Sequence, residues 1–400
     1  MHHFPVASAS YVSVGCADLL LTDEGHSHGL YVRLYYPTKP LSDAERNSQD
    51  SFTDWIPDNH HQQYINGMAR LAASRCFMPP LIEELYECYT RVPVKWHAPF
   101  YPEYGTTPLS VTVLCPDYGG TRFTQTGLAA AMVLHCACVV CVIEHADGSA
   151  AFTHRSSGPI NMQLPYYGSM SCCTREIDKL DLMFELTNRK ADELTRVCDY
   201  LLPAINDGTL QKKLMLEGDS FDWSQFRGRL NVVSLTAVGH ALGGTAVLKA
   251  LADGCQRIAR AIALHSNVDL LNDLAKHLIA VESGVPILLI NADTNVKHEA
   301  EKRFEFLEMN PATIKMVTIA RSKKKHFSDW SRFGWCCRRP SGNPTSTATD
   351  RSVLFDIITV KCIDDFVQQF NYAWPSDEFL EHASNFVYFP FTDKVQKSLK

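Results

Sequence analysis

Apolar positions along this chain follow two rhythms, and their alternation predicts the architecture. Tyr31-Val32-Arg33-Leu34-Tyr35-Tyr36-Pro37 alternates and stops at proline, as an early strand does. Val111 to Leu114, Val139 to Ile143, Thr236 to Val238, Pro286 to Ile290 and Met316 to Ile319 are short, largely apolar runs. Strands of a parallel sheet read this way because helices cover both of their faces. Helical patterns lie between them. Glu176 to Leu202 is long and amphipathic, Thr245 to Leu251 follows a glycine pair, and Val353 to Phe370 closes the series. Strand alternating with helix predicts an α/β chain with a mostly parallel central sheet and helices on both faces.

The apolar run from Leu128 to Ile143 divides at His135. Leu128 to Leu134 is rich in Ala, Leu and Met and predicts a helix; Cys138 to Ile143 is β-branched and predicts a strand. The whole run is shorter than the roughly 18 residues a membrane span needs. An N-terminal insertion at about 55–92 predicts helices over Tyr64 to Leu71 and Leu81 to Tyr89, flanking Pro79-Pro80. Within it Met68, Leu71, Phe77, Met78, Leu81 and Ile82 form either core or an apolar patch toward a membrane. Residues 341–350 read as a polar loop. Residues 1–375 then form a single domain, and 376–400 a C-terminal tail without a readable pattern.

Composition narrows the function. Apolar residues make up 46% of the 400 and charged residues 20%, enough to bury a full core. Thirty-eight basic against 44 acidic residues give a net charge of −6, which offers no pull toward nucleic acid. The opening residues lack a charged segment followed by an apolar one, so no signal peptide is expected. The 14 cysteines include the adjacent pairs Cys172-Cys173 and Cys336-Cys337. They suit neither a disulfide framework nor a zinc spacing, so reduced, buried thiols, no metal and a cytoplasmic location are expected.

Two segments compete as a nucleophile turn. Gly25-His26-Ser27-His28-Gly29 matches G-x-S-x-G letter for letter, but a strand follows it. The motif works only where a strand turns sharply into a helix and holds the serine over the sheet edge. That context occurs at Gly239-His240-Ala241-Leu242-Gly243-Gly244, between the strand Leu235 to Val238 and the helix from Thr245. Its central residue is Ala241, which has no oxygen with which to attack an ester.

Gly239 to Gly244 and its flanks resemble the elbow of the platelet-activating factor acetylhydrolase family, intracellular and lipoprotein-associated phospholipases A2 with an α/β-hydrolase fold. Gly15 to Asp18, Arg33 to Pro37, Trp55-Ile56-Pro57, Glu144 to Asp147, Ala261 to Leu264 and Lys315 to Ile319 are similar to family segments in the same order. The resemblance implies an α/β-hydrolase fold and hydrolysis of the sn-2 acetyl or short acyl ester of a phospholipid, without a cofactor. It implies a serine, a histidine and an aspartate at three positions that here hold Ala241 (nucleophile), Lys324 (base) and His265 (acid). It places the oxyanion donors at the backbone N–H groups of Tyr118 and Leu242, beside an anionic Asp117 that would not help an oxyanion. His326 and Asp269 are the candidates for a displaced base and acid. The expectation is therefore a non-catalytic relative that binds phospholipid, another lipid or a partner, with weak peripheral membrane contact and no nucleic acid. The alternatives are an active esterase with a relocated triad, or an inactivated variant of an active parent.

Overall fold

The structure is a computed structural model that describes residues 2–3, 13–21, 29–40, 42, 45, 52–56, 60–75, 90–92, 94–101, 107–153, 176–210, 215–218, 220–293, 297–329, 347–369, 375–383 and 386–388. Its centre is an eleven-stranded sheet among these residues. In chain order the strands are β1 Ser13–Leu21, β2 Leu30–Thr38, β3 Lys95–Trp96, β4 Leu109–Cys115, β5 Val139–Glu144 and β6 Met215–Glu217. They continue as β7 Leu230–His240, β8 Ile258–Leu264, β9 Ile287–Ala292, β10 Ile314–Ile319 and β11 Val387–Tyr388. Spatial order runs β11-β10-β9-β8-β7-β4-β5-β2-β1-β3, with β6 also pairing β1.

The pairs from β10 through β5 are parallel, whereas β1/β2, β2/β5 and the β10/β11 edge are antiparallel. Leu21 pairs Leu30, so Gly25-His26-Ser27-His28-Gly29 falls in the link between two antiparallel strands. Residues 22–28 of that link lie outside the described residues.

Alternation along the strands divides the core in two. Val113, Cys141, Ala237, Ala263 and Leu289 face one side, where they meet Leu194 to Leu202 and Val247 to Leu251. Leu114, Val142, Val238, Leu264 and Ile290 face the other, against Tyr64, Leu128 to Leu134 and Ile358 to Phe366. The helices that supply these faces are α1 His61–Arg75, α2 Thr126–Cys136, α3 Glu176–Arg196, α4 Leu202–Asp207, α5 Leu242–Ala252 and α8 Thr347–Gln369. Between them in sequence lie α6 Asp273–His277 and α7 Lys297–Met309; α9 Asp377–Ala383 follows α8. The α/β-hydrolase architecture expected from the sequence is the one observed.

The run from Leu128 to Ile143 is α2 followed by β5, with Ala137 at φ +49° reversing the chain between them. No described helix is long and apolar enough to cross a membrane. Tyr64, Met68 and Leu71 of α1 are buried. The described part of the suspected membrane patch is therefore core, and Phe77, Met78, Leu81 and Ile82 lie outside the described residues. Residues 347–350, read as the end of a polar loop, open α8; their Thr and Asp are residue types that favour helix starts. In the tail, Val387 pairs Ile319 and extends the sheet.

Candidate active site

The elbow between β7 and α5 is built as an esterase elbow is built. A Cβ on Gly239 would lie 2.2 Å from the Gly243 carbonyl oxygen, and one on Gly243 would lie 2.1 Å from that of Cys115. Only glycine lets α5 approach β7 and β4 this closely. Between them Ala241 adopts φ +50° and ψ −108°, a conformation that costs a non-glycine residue about 1–3 kcal/mol. Its N–H donates to Leu264 at 2.8 Å and its carbonyl accepts from Thr245 at 3.1 Å. The strained turn is intact, but a buried methyl group occupies the nucleophile position. Ser234 lies within β7, and Cys255 follows the far end of α5.

His265 directly follows β8, at φ +51° and buried. Its backbone N–H donates to Ile290 at 2.7 Å, and its Nδ1 accepts from the Ala292 N–H at 3.2 Å. Burial, then Arg303, the His240 ring and Lys324, push its pKa down to about 3. At neutral pH it is an uncharged ring with a lone pair committed to the backbone. It cannot supply the fixed anion that an acid position requires.

Lys324 opens a 3-10 turn, Lys324–Phe327, after β10. Its Nζ lies 2.8 Å from Asp117 Oδ2, with the lysine side chain 49% and the aspartate 14% exposed. Asp117 Oδ1 in turn accepts the Leu242 N–H at 3.2 Å. Burial pushes the Asp117 carboxyl up, but Lys324 and His240 outweigh this and hold it well below the usual carboxylate range. A hydrogen bond from the Tyr118 backbone N–H acts in the same direction. Both expected oxyanion donors are thus engaged by one carboxylate of the chain itself, and the residue at the base position is that carboxylate's counter-ion.

Asp117, Tyr118 and Lys324 border a cavity of about 240 Å³ whose lining also includes Thr124, Gln125, His240, Lys325 and Ser328, with Gly120 at its wall; Ala241, Leu242 and His265 are not among its lining residues. His240 Nε2 lies 3.0 Å from the Lys324 carbonyl and holds the 3-10 turn against the elbow. Sequence reading gave no role to His240 or Gln125; their neighbours in the elbow and in the site loop were the available signal. Beyond Tyr118 and Leu242, the apolar cluster of Leu71, Leu186 and Leu270 packs against both.

His326 and Asp269 do not line the cavity. The His326 ring stacks on Phe355 of α8 at 4.4 Å, and its Nδ1 accepts the Lys323 N–H at 3.0 Å. Burial and the flanking Lys325 and Lys323 lower its pKa to about 4. Asp269 sits in a 3-10 turn, its N–H bonded to Asn267 at 3.1 Å. No described group of three or more His, Cys, Asp or Glu residues could hold a metal ion.

Two buried assemblies fix the site loops. Arg122, just after the Asp117 turn, bonds Asp18 on β1 at 2.7 Å and Glu144 on β5 at 2.7 Å. Asp18 also binds Arg33 of β2, and Tyr64 of α1 donates to Glu144 at 2.7 Å. Asp329, just past the Lys324 turn, accepts N–H groups of Thr126 and Gly127 at 2.8 and 3.2 Å. A carboxylate there satisfies free donors at the start of α2 and opposes the helix dipole. The Trp55 indole donates to the same carboxylate at 3.1 Å. The two loops that carry Asp117 and Lys324 are thereby joined to one rigid frame.

Comparisons with known proteins agree with this construction. A family model described as platelet-activating factor acetylhydrolase, isoform II, matches residues 2–334. The platelet-activating factor acetylhydrolase of Canis lupus familiaris is 26% identical over 82% of this chain and 68% of its own length. That of Cavia porcellus is 25% identical over 80% and 67%. Among solved structures, a ferulic acid esterase from Streptomyces cinnamoneus superposes with a TM-score of 0.59 over 97% of this chain and 99% of its own, at 16% identity, and so shares the fold. With a family model spanning most of its length, an esterase elbow and an α/β-hydrolase sheet, the chain belongs to the platelet-activating factor acetylhydrolase family.

Proposed function

We propose that this chain is a platelet-activating factor acetylhydrolase-like protein that holds a phospholipid-type ligand in the inherited cavity without hydrolysing it. The observation that carries the reading is Ala241 at the strained elbow: the turn that exists to present a hydroxyl presents a methyl group. Removing the serine or the histidine of such a triad costs about 10⁶ in kcat in a well-studied serine protease. A histidine that is neutral at the acid position and a lysine paired at the base position support the same reading. An active esterase with a displaced triad gains no support from His326, whose Nδ1 is held by the Lys323 N–H and whose ring stacks on Phe355. A parent silenced by a single change would account for Ala241 but not for His265 or Lys324. The reading includes a cytosolic setting, which buried free thiols such as Cys115, Cys141 and Cys362 suit.

The test is mass spectrometry of the lipid that co-purifies with the protein, beside labelling with a serine-directed phosphonate. The expected result is a bound phospholipid-class species and no labelled serine. Stoichiometric labelling of one serine would contradict the reading.

A further inference from the structure

The oxyanion hole of an esterase is a pair of backbone donors waiting for a negatively charged oxygen. Here Asp117 Oδ1 accepts the Leu242 N–H, the Tyr118 N–H bonds the same carboxylate, and Lys324 closes the other oxygen at 2.8 Å. We propose that Asp117 fills the oxyanion hole in cis and inverts its polarity, so that the cavity selects a lipid with a free hydroxyl, the lyso form, over one carrying an ester at that carbon. This deepens the lipid-binding reading above and rests on it.

An ester carbonyl presents only lone pairs and needs donors. The donors that could have served it are consumed, and it would face the lone pairs of a carboxylate instead. A carboxylate offers about four acceptor sites, and the three contacts here leave one for a hydroxyl of the ligand. A second acceptor in the same wall, Gln125 Oε1, is buried and has no partner among the described residues, its Nε2 being bonded to the Phe327 carbonyl at 3.0 Å. Two acceptors in this wall therefore have room for a donor, which a hydroxyl brings and an ester does not. Lys324 and His240 keep the internal anion charged, and the frame through Arg122 and Asp329 holds both loops in register.

The experiment compares binding of soluble short-chain 1-alkyl-2-lyso and 1-alkyl-2-acetyl glycerophosphocholine by calorimetry, on wild type and on Asp117→Ala. The wild type should prefer the lyso compound by about tenfold or more, the range expected for one hydrogen bond to a charged acceptor. Asp117→Ala should bring the two affinities together. Equal or tighter binding of the acetyl compound by the wild type, or no binding of either, overturns the selection. A second arm tests occupancy of the hole without any lipid. Formate should raise the Tm of Asp117→Ala saturably, by roughly 1–3 °C at tenfold excess over its Kd, and leave the wild type unmoved relative to chloride. Adding Lys324→Ala should weaken that rescue. Formate acting on both proteins alike would overturn the internal anion itself. Should Asp117→Ala fail to fold, the isosteric Asp117→Asn serves with NMR: the Leu242 amide proton should move upfield, and an unmoved resonance refutes the contact. Because formate rescue reads the hole and lipid affinity reads the ligand, failure of one is distinguishable from failure of the other.

Discussion

Rebuilding the triad is the perturbation that probes this site most deeply, and the structure says that three substitutions will not be enough. Ala241→Ser supplies a hydroxyl, Lys324→His a base and His265→Asp an anion to orient it. Ala241→Ser alone stays near background, since a serine hydroxyl is a poor nucleophile until a positioned base takes its proton. In the triple variant the Leu242 N–H still faces Asp117 at 3.2 Å, and the Tyr118 N–H is bonded to the same carboxylate. Loss of one oxyanion donor costs about 10²–10³ in kcat, and here two are engaged. An anion developing about 4 Å from an unpaired carboxylate adds a repulsion of up to ~4 kcal/mol at an effective dielectric near 20, less where water screens it. Adding Asp117→Gly removes both penalties. The quadruple variant should therefore hydrolyse an acetyl phospholipid about 10³-fold faster than the triple, measured as kcat/KM for acetate release with folding checked by melting. Rates within threefold of each other would refute the claim that Asp117 blocks the hole.

Three other expectations follow from the frame. Gly243→Ala puts a Cβ 2.1 Å from a backbone oxygen with no flexible neighbour to yield, and should cost about 3 kcal/mol or leave the chain unfolded; a near-normal denaturation midpoint would contradict the packing. Arg122→Met leaves Asp18 and Glu144 short of a buried cation and should cost about 3–5 kcal/mol in urea unfolding, where a loss below about 1 kcal/mol would show that Arg33 suffices. His265, held at about 3 against about 6.5 in the unfolded chain, binds its proton only on unfolding between those values. Stability should fall as pH drops through that window, and His265→Asn should reduce the slope, leaving what His326, from its pKa near 4, and the likewise lowered His97, His135 and His145 contribute. Equal slopes for the two proteins between pH 7 and pH 4.5 would exclude His265 as the source.

Much of the fold was legible because burial forces a pattern on sequence. The central strands β4, β5, β7, β9 and β10 are covered on both faces and read as apolar runs, and the division of Leu128 to Ile143 followed from β-branching. The α7 helix was not legible: its outer residues Glu301, Lys302 and Glu305 leave only a sparse apolar face around Phe306 and Leu307. The β11 strand was equally hidden, since two residues pairing an edge carry no periodicity. In the site, Ala241 was readable from its glycines, because only that turn lies between a strand and a helix. Asp117 was readable as an unfavourable neighbour of an oxyanion, yet not as its replacement. That meaning depends on Lys324, two hundred residues away in the chain, and such a pairing exists only after folding.

Whether the unmodified protein turns over an acetyl phospholipid separates a pseudo-hydrolase from an enzyme. Acetate release by wild type, followed beside a catalytically competent family member under one condition, is the direct measurement. With Ala241 at the nucleophile position, the wild type should give a rate indistinguishable from the buffer blank. Sustained turnover that disappears when His326 or Asp269 is replaced would contradict it, and would show that the chain carries a catalytic centre outside the Ala241 elbow.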